Sequence, residues 1–376
     1  MIMTTKKIMF VFGTRPEAIK VAPLIKEFQK NKDHFNVCIV STGQHKEMLD
    51  QVINFFGIKI DYELKLMTPN QSLNKLSGKI LNSLKNVLDK EKPDYVFVHG
   101  DTTTTAFASI ASFYNQIKIC HIEAGLRTFN KNSPFPEEIN RSITGKLADL
   151  HFAPTQQAAQ NLLSENIDKN SIIITGNTVI DALLDGIKIT KNYHNDEING
   201  LEKITSKKRK IILITGHRRE NFGRGFEDIC NAILELSKNP NIDIIYPVHL
   251  NPNVKDTVYK LLFGNKNIHL IDPLSYPAFI WLMSKSYIIL TDSGGVQEEA
   301  PSLGIPVLVM RNDTERPEGV KAKTAILVGT NKDKIISTVN NLIHNQSEYK
   351  KISLKKNPYG DGMASKKIVE YMKQNG

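Results

Sequence analysis

Short apolar runs alternate with amphipathic stretches of helical length along the whole chain, and this alternation leaves little choice of fold. Apolar runs separated by helices read as strands buried on both faces of a parallel sheet, the product of repeated βαβ units. In the first half the runs are Ile8 to Gly13, Val37 to Gly43, Tyr95 to Gly100, Ile117 to Ile122, Leu150 to Pro154 and Ile172 to Gly176. In the second half they are Lys210 to Gly216, Ile242 to Val248, Ile268 to Asp272, Tyr287 to Thr291, Pro306 to Met310 and Ala325 to Gly329. Six runs in each half predict an α/β protein with two Rossmann-like, doubly wound parallel-sheet domains. The length of 376 residues, more than one core usually supports, agrees with two. The polar stretch from Lys188 to Lys208 breaks the rhythm, so the boundary is expected between Gly176 and Lys208.

In open sheets of this class, ligands bind beyond the carboxyl ends of the strands, where helix N-termini point. Those ends carry reactive side chains here: Arg15 after the first run, Gln44 and His45 after the second, His99 and Asp101 on the third, His121 and Glu123 on the fourth. The later runs supply His217 and Arg218, then His249, then Asp292 and Ser293. Two such rims facing each other predict a deep polar cleft.

A formal charge of +10 could signal nucleic acid, but the densest basic cluster (Lys207, Lys208, Arg209, Lys210) merely precedes a strand and lacks interleaved aromatics. Neither nucleic acid nor membrane is an expected partner. The apolar stretch near the start is too short for a signal segment and no run approaches a membrane span, which predicts a cytoplasmic protein. Cys38, Cys120 and Cys230 are scattered through apolar runs, which predicts buried thiols rather than disulfides or metal ligands. No cofactor or metal is expected.

The motifs absent from the chain exclude as much as those present. There is no G-x-G-x-x-G after the first strand, no P-loop, no H-E-x-x-H and no G-x-S-x-G elbow. The strongest phosphate signal is Thr291 to Ala300, where Ser293, Gly294 and Gly295 lie between a strand end and a helix start, so backbone N–H groups could approach an anion. Glu299, one turn on, could accept from ribose hydroxyls. Gly13 to Lys20 is a second candidate, with Arg15 and Lys20 on one side of a helix start, and Arg316 could add a further cation. The acid-base candidates are Asp101, Glu123, Glu137, Glu138 and His217. Asp101 could equally be the N-cap of a helix from Thr102 to Ser112, and Glu137 and Glu138 could simply favour a first helical turn.

Together these segments resemble one family. Gly13-Thr14-Arg15-Pro16-Glu17, His99-Gly100-Asp101-Thr102-Thr103-Thr104, His121 to Thr128, Pro136-Glu137-Glu138-Ile139-Asn140-Arg141, Gly216-His217-Arg218-Arg219-Glu220-Asn221, Ser293-Gly294-Gly295 and Thr314-Glu315-Arg316-Pro317-Glu318 occur in order and are similar to the signature blocks of non-hydrolysing UDP-N-acetylglucosamine 2-epimerases. The resemblance implies a GT-B architecture with an N-terminal Rossmann-like domain (1–176), a nucleotide-binding one (177–358) and a C-terminal helix (359–376) returning to the first. It implies Asp101, Glu123, Glu137 and His217 as catalytic residues. It places Arg15 and Lys20 near the diphosphate, Ser293, Gly294 and Gly295 at the phosphates, Glu299 at the ribose, Arg316 beside the nucleotide and Phe279 near the uracil. Leu274 stands where many members have glutamine.

The implied reaction is reversible C2 epimerisation of UDP-GlcNAc to UDP-ManNAc, with UDP leaving to give 2-acetamidoglucal and then adding back, in the supply of a cell-surface polysaccharide. The alternatives are a GT-B glycosyltransferase and a hydrolysing or sister UDP-sugar 2-epimerase. A homodimer is implied, as is activation by a second UDP-GlcNAc touching Gln44, His45, Arg218 and His249. Lys46, Glu47 and Asn70 depart from the expected activator-binding pattern.

Overall fold

The computed structural model describes residues 5–43, 46–68, 70–205 and 209–376, apart from the side chains of 46–48. The chain divides into two compact units, Met1–Ala182 with Gly360–Gly376 and Leu183–Tyr359. The division falls inside the helix Thr178–Thr190. The polar stretch that breaks the strand rhythm also holds the helix Asp196–Thr205.

The first unit is built on β1 (Lys6–Phe12), β2 (Phe35–Ser41), β3 (Tyr62–Glu63), β4 (Tyr95–His99), β5 (Lys118–Ile122), β6 (Leu150–Ala153) and β7 (Ile172–Ile174). These form a seven-stranded sheet in the order β3-β2-β1-β4-β5-β6-β7. The second unit has β8 (Lys210–Thr215), β9 (Ile242–Pro247), β10 (Ile268–Ile271), β11 (Ile288–Thr291), β12 (Val307–Val309) and β13 (Ala325–Leu327), ordered β10-β9-β8-β11-β12-β13. Every pairing is parallel. The winding reverses between β1 and β4 and between β8 and β11, the switch points where such sheets open for ligands.

The first sheet has one strand more than the six apolar runs predict. β3 is two residues long and part-exposed at the sheet edge, so no run marks it. It is held instead through Asp61, which donates its N–H to Ile39 O at 2.9 Å and accepts the Ile39 N–H on its carboxylate at 2.8 Å.

The unbroken apolar runs arise because both faces of each sheet are covered. Along β1, Met9 and Val11 pack with Val40, Leu84, Val96 and Val98 on one face. Phe10 turns to the other, against Phe28 and Phe97 at ring-centroid distances of 5.7 and 5.2 Å. The helix Ala364–Asn375 closes this second face, with Tyr371 edge-on to Phe152 at 6.1 Å. Its first turn is anchored by Asp181, whose carboxylate accepts the N–H of Ala364 at 3.2 Å and of Ser365 at 2.8 Å. In the second unit Ile212, Ile214, Ile244, Leu290 and Leu308 lie in one cluster with Phe226, Ile229 and Ile233. Burying each such side chain stabilises the fold by about 1.5–3 kcal/mol before chain entropy is counted. All three cysteines are buried. Among the described residues, no helix is long and apolar enough to cross a membrane.

Candidate active site

In the first unit, β1 runs through Gly13 into the helix Arg15–Lys30, whose N-cap Thr14 forms a capping box with Glu17. Glu17 accepts N–H groups from Gly13 (3.1 Å) and Thr14 (2.7 Å) and the hydroxyls of Thr102 (2.8 Å) and Thr105 (3.2 Å). It is 2% exposed, and burial pushes its pKa up against those donors. Glu17 therefore fastens the end of β1 to the helix start after β4, a structural task. Arg15 is half-buried at the first position of its helix. Lys20 lies against Glu123, Nζ to Oε2 at 2.5 Å.

Glu123 leaves β5 with φ +62°, a left-handed conformation that costs a non-glycine residue energy and aims its side chain off the strand end. Besides Lys20, its Oε2 accepts from Asn177 Nδ2 at 2.7 Å and stands 3.8 Å from His99 Nε2. Burial holds His99 neutral with its pKa lowered to about 4, although Glu123 pulls the other way. The neighbouring Gly125 has φ +90°, and a Cβ there would fall 2.2 Å from Ala158 O, so only glycine fits the turn after Glu123.

Asp101 lies just past β4, adjacent to β5. It is not the helix N-cap: Thr102 caps the helix Thr103–Tyr114, its hydroxyl accepting the Thr105 N–H at 3.1 Å. Released from capping, the Asp101 carboxylate pairs with Arg141, while Asn140 Nδ2 donates to its carbonyl at 3.0 Å. Burial raises the Asp101 pKa and the Glu123 charge adds to this; Arg141 and Lys20 draw it back. Glu137 heads the helix Glu137–Leu147, half-buried, and its carboxylate makes no hydrogen bond or ion pair among the described residues. Glu138 is different. It accepts the N–H groups of Thr128 (3.1 Å) and Phe129 (2.9 Å) and lies 3.4 Å from Arg141, which fixes the loop before this helix.

In the second unit, β8 ends at Thr215 and the chain passes through Gly216 to His217, whose Nδ1 lies 3.4 Å from Asp292 Oδ1. Burial lowers the His217 pKa, Asp292 opposes this, and His249 and Arg218 reinforce it. His249 stacks on His217 with centroids 5.3 Å apart and planes inclined by 15°. Arg218 lies 3.6 Å from Glu315. Beyond β11, Ser293 is the N-cap of the helix Gly294–Glu299 without spending its hydroxyl on the cap, and its N–H donates to Thr291 Oγ1 at 2.9 Å. A Cβ on Gly294 would sit 3.9 Å from Arg316 Cζ, so the glycine turn lies directly under a guanidinium. Arg316 is held there by an ion pair with the buried Glu298. Glu299 is buried, its Oε2 3.8 Å from a Cβ built on Gly295. Phe279 is half-buried on the helix Tyr276–Lys285.

The structure thus gathers Lys20, Asp101 and Glu123 at adjoining strand ends of the first unit, and Ser293, Gly294, Gly295, Glu299 and Arg316 around one turn of the second. Gln44 and His45 lie outside the described residues. Sequence reasoning left Arg141, Asn177 and Asp292 without roles. Arg141 and Asp292 stand inside or beside motif blocks and could have been weighed; Asn177 meets Glu123 across 54 residues, a contact that no local pattern announces. Among the described residues, no cluster of three or more His, Cys, Asp or Glu could hold a metal ion.

A family model described as UDP-N-acetylglucosamine 2-epimerase matches residues 26–373. The UDP-N-acetylglucosamine 2-epimerase of Campylobacter jejuni is 54% identical over 374 residues, covering 98% of this chain and 97% of that one. The enzyme of the same name from Escherichia coli K12 is 50% identical, covering 98% and 99%. The crystal structure of UDP-GlcNAc 2-epimerase from Neisseria meningitidis bound to UDP-GlcNAc superposes with a TM-score of 0.85 at 50% identity, covering 98% of this chain and 100% of that one. With two doubly wound sheets of GT-B type, its strand-end carboxylates and its glycine turn beneath an arginine, the chain belongs to the UDP-N-acetylglucosamine 2-epimerase family.

Proposed function

We propose that the protein interconverts UDP-GlcNAc and UDP-ManNAc at C2 by eliminating UDP to 2-acetamidoglucal and adding it back. The C2 proton is not acidic, because no carbonyl carbon adjoins it, so its removal has to be coupled to loss of the diphosphate from C1. The observation that carries this reading is the pair of differently set carboxylates just beyond β4 and β5. Asp101 has a pKa raised by burial, while Glu123 takes two N–H donors on one oxygen. Carboxyl groups in unlike environments at adjoining positions are the usual means of dividing acid from base. Asp101 is then the proton donor and Glu123 the acceptor, with Glu137 as the third carboxylate able to meet the ring's developing positive charge.

UDP departure requires stabilisation of a diphosphate, which Arg15, Arg316 and the Ser293-Gly294-Gly295 turn supply through cationic and backbone N–H donors, without a metal. Glu299 accepts from the ribose, Phe279 lies by the base, and His217 exchanges a proton as UDP leaves or returns. A second UDP-GlcNAc, contacted by Arg218 and His249, acts as activator in this scheme; its signature is a reverse reaction from pure UDP-ManNAc that traces of UDP-GlcNAc accelerate. The protein acts as a homodimer in the cytoplasm. The exposed Phe113 (56%), Tyr114 (74%) and Ile139 (42%), gathered around one groove of the first unit, supply an apolar face for the second copy.

Incubation with UDP-GlcNAc in deuterated water, followed by proton NMR, tests the reaction. UDP-ManNAc should form and both UDP-sugars should acquire deuterium at C2. Release of free ManNAc with UDP, or full retention of the C2 hydrogen, would overturn it.

A further inference from the structure

Asp292 is a carboxylate with 0% exposure, and its two oxygens are used unequally. Oδ2 accepts the backbone N–H groups of His217 and Arg218, each at 2.8 Å. Oδ1 meets no hydrogen-bond donor of acceptable geometry among the described residues, yet stands 3.4 Å from His217 Nδ1. An unmet buried acceptor needs a cause. A small rotation of the imidazole satisfies it, provided that Nδ1 carries the proton, because a carboxylate can only accept.

The surroundings enforce this choice. His217 is faced by Asp292 just beyond β11, by His249 beyond β9, and by Arg218 in its own loop. His249 already uses its Nδ1 to accept the Asn251 N–H at 3.1 Å, so its own proton lies on Nε2 when neutral. Tyr246, from β9, donates to the carbonyl of Gly216, the residue before His217, at 3.1 Å. A Cβ on Gly216 would come within 3.2 Å of the Tyr246 hydroxyl, so the bare glycine lets the chain settle its next two N–H groups on Asp292. Backbone and ring of His217 are therefore referenced to the same buried carboxylate.

We propose that Asp292 is a positioning residue for His217: it keeps the proton of the neutral imidazole on Nδ1 and presents Nε2 as the nitrogen that exchanges a proton with the nucleotide-sugar. When Nε2 takes up a proton the ring becomes an imidazolium, which the Asp292 charge stabilises; when Nε2 gives it back, the Nδ1 proton stays in place. The nucleotide-sugar part rests on the epimerase reading, whereas the tautomer does not.

Nitrogen-15 shifts of the imidazoles in the full chain, with His217 identified by its loss in His217→Gln, read the tautomer directly. Neutral His217 should be in the Nδ1–H form. Asp292→Asn keeps an acceptor for the backbone but turns an amide N–H toward Nδ1. The tautomer should then reverse to Nε2–H, and the titration midpoint should fall with loss of the negative charge. In turnover, Asp292→Asn should lower kcat by about a hundredfold or more while KM stays near its original value, the pattern of a wrongly held histidine. The double variant with His217→Gln should be no slower than His217→Gln alone. An Nε2–H tautomer in the unaltered protein, or losses that multiply in the double variant, would overturn the proposal. Should Asp292→Asn fail to fold by circular dichroism, the tautomer of the unaltered protein decides. Absence of epimerisation with the Nδ1–H form present would sink the reaction assignment and leave the positioning role standing.

Discussion

Asp101 and Glu123 sit just beyond the ends of neighbouring strands yet have unlike surroundings, and this difference governs what their removal should do. Asp101→Asn and Glu123→Gln should each lower kcat by at least about a hundredfold, the scale of a lost general acid or base, with near-native melting curves. Near-normal turnover in either would return that residue to a structural role. Arg141 offers a sharper test. Its guanidinium draws the Asp101 pKa down against burial, so Arg141→Met should raise it further and move the Asp101 limb of the pH–rate profile to higher pH. A profile that loses amplitude without moving would mean that Arg141 acts elsewhere. The sequence made Asp101 ambiguous between cap and catalyst because a carboxylate at a helix start suits both. The cap reading ends with Thr102, whose hydroxyl accepts the Thr105 N–H and so caps a helix that starts one residue later than expected.

The elements that carry these residues depend on turns with little tolerance. Glu123 is aimed by the segment between β5 and the next helix, and Gly125 allows that segment to pass Ala158. Gly125→Ala would combine a positive φ with a backbone clash, and should destabilise the first unit by more than about 1 kcal/mol in urea unfolding. An unchanged midpoint would show that the turn relaxes freely. Capping chemistry is local, and Thr14 and Glu17 close their box within four residues; the one cap weighed from the sequence, Asp101, falls one residue early because Thr102 takes the position. The edge strand β3 was not legible, since its two residues owe their place to Asp61 and the neighbouring β2 rather than to any apolar pattern of their own.

The whole molecule should respond to pH through histidines that have no solvent. Burial lowers the pKa values of His99, His121 and His151 to about 4, about 3 and about 4. In the unfolded chain these groups titrate near 6.5, so the unfolded state binds more protons as pH falls below that value. Their contribution to stability is present above pH 6.5 and lost as pH falls toward the folded values. Each costs about 2 kcal/mol by pH 5. Glu17, Asp101 and Asp181, raised by burial, act in the opposite sense. The histidine share is isolated by His151→Gln, which should flatten the fall in urea-unfolding free energy between pH 7 and 5; an unaltered slope would refute it. The C-terminal helix belongs to the same balance. Asp181→Ala strips the acceptor from two N–H groups of its first turn and should cost about 1–3 kcal/mol of first-unit stability.

The sequence by itself determined the class of fold, the strand ends where chemistry gathers and the motif blocks of the family, because periodicity, capping and glycine turns are written within a few residues of one another. Only the tertiary structure decided that Glu123 is gripped by Lys20 and Asn177, that Glu17 and Glu138 are structural acids, and that Asp292 holds His217. Each of those assignments depends on burial and on partners distant in the chain. Both are properties of packing, and a carboxylate in a string of letters carries no record of which donors will surround it.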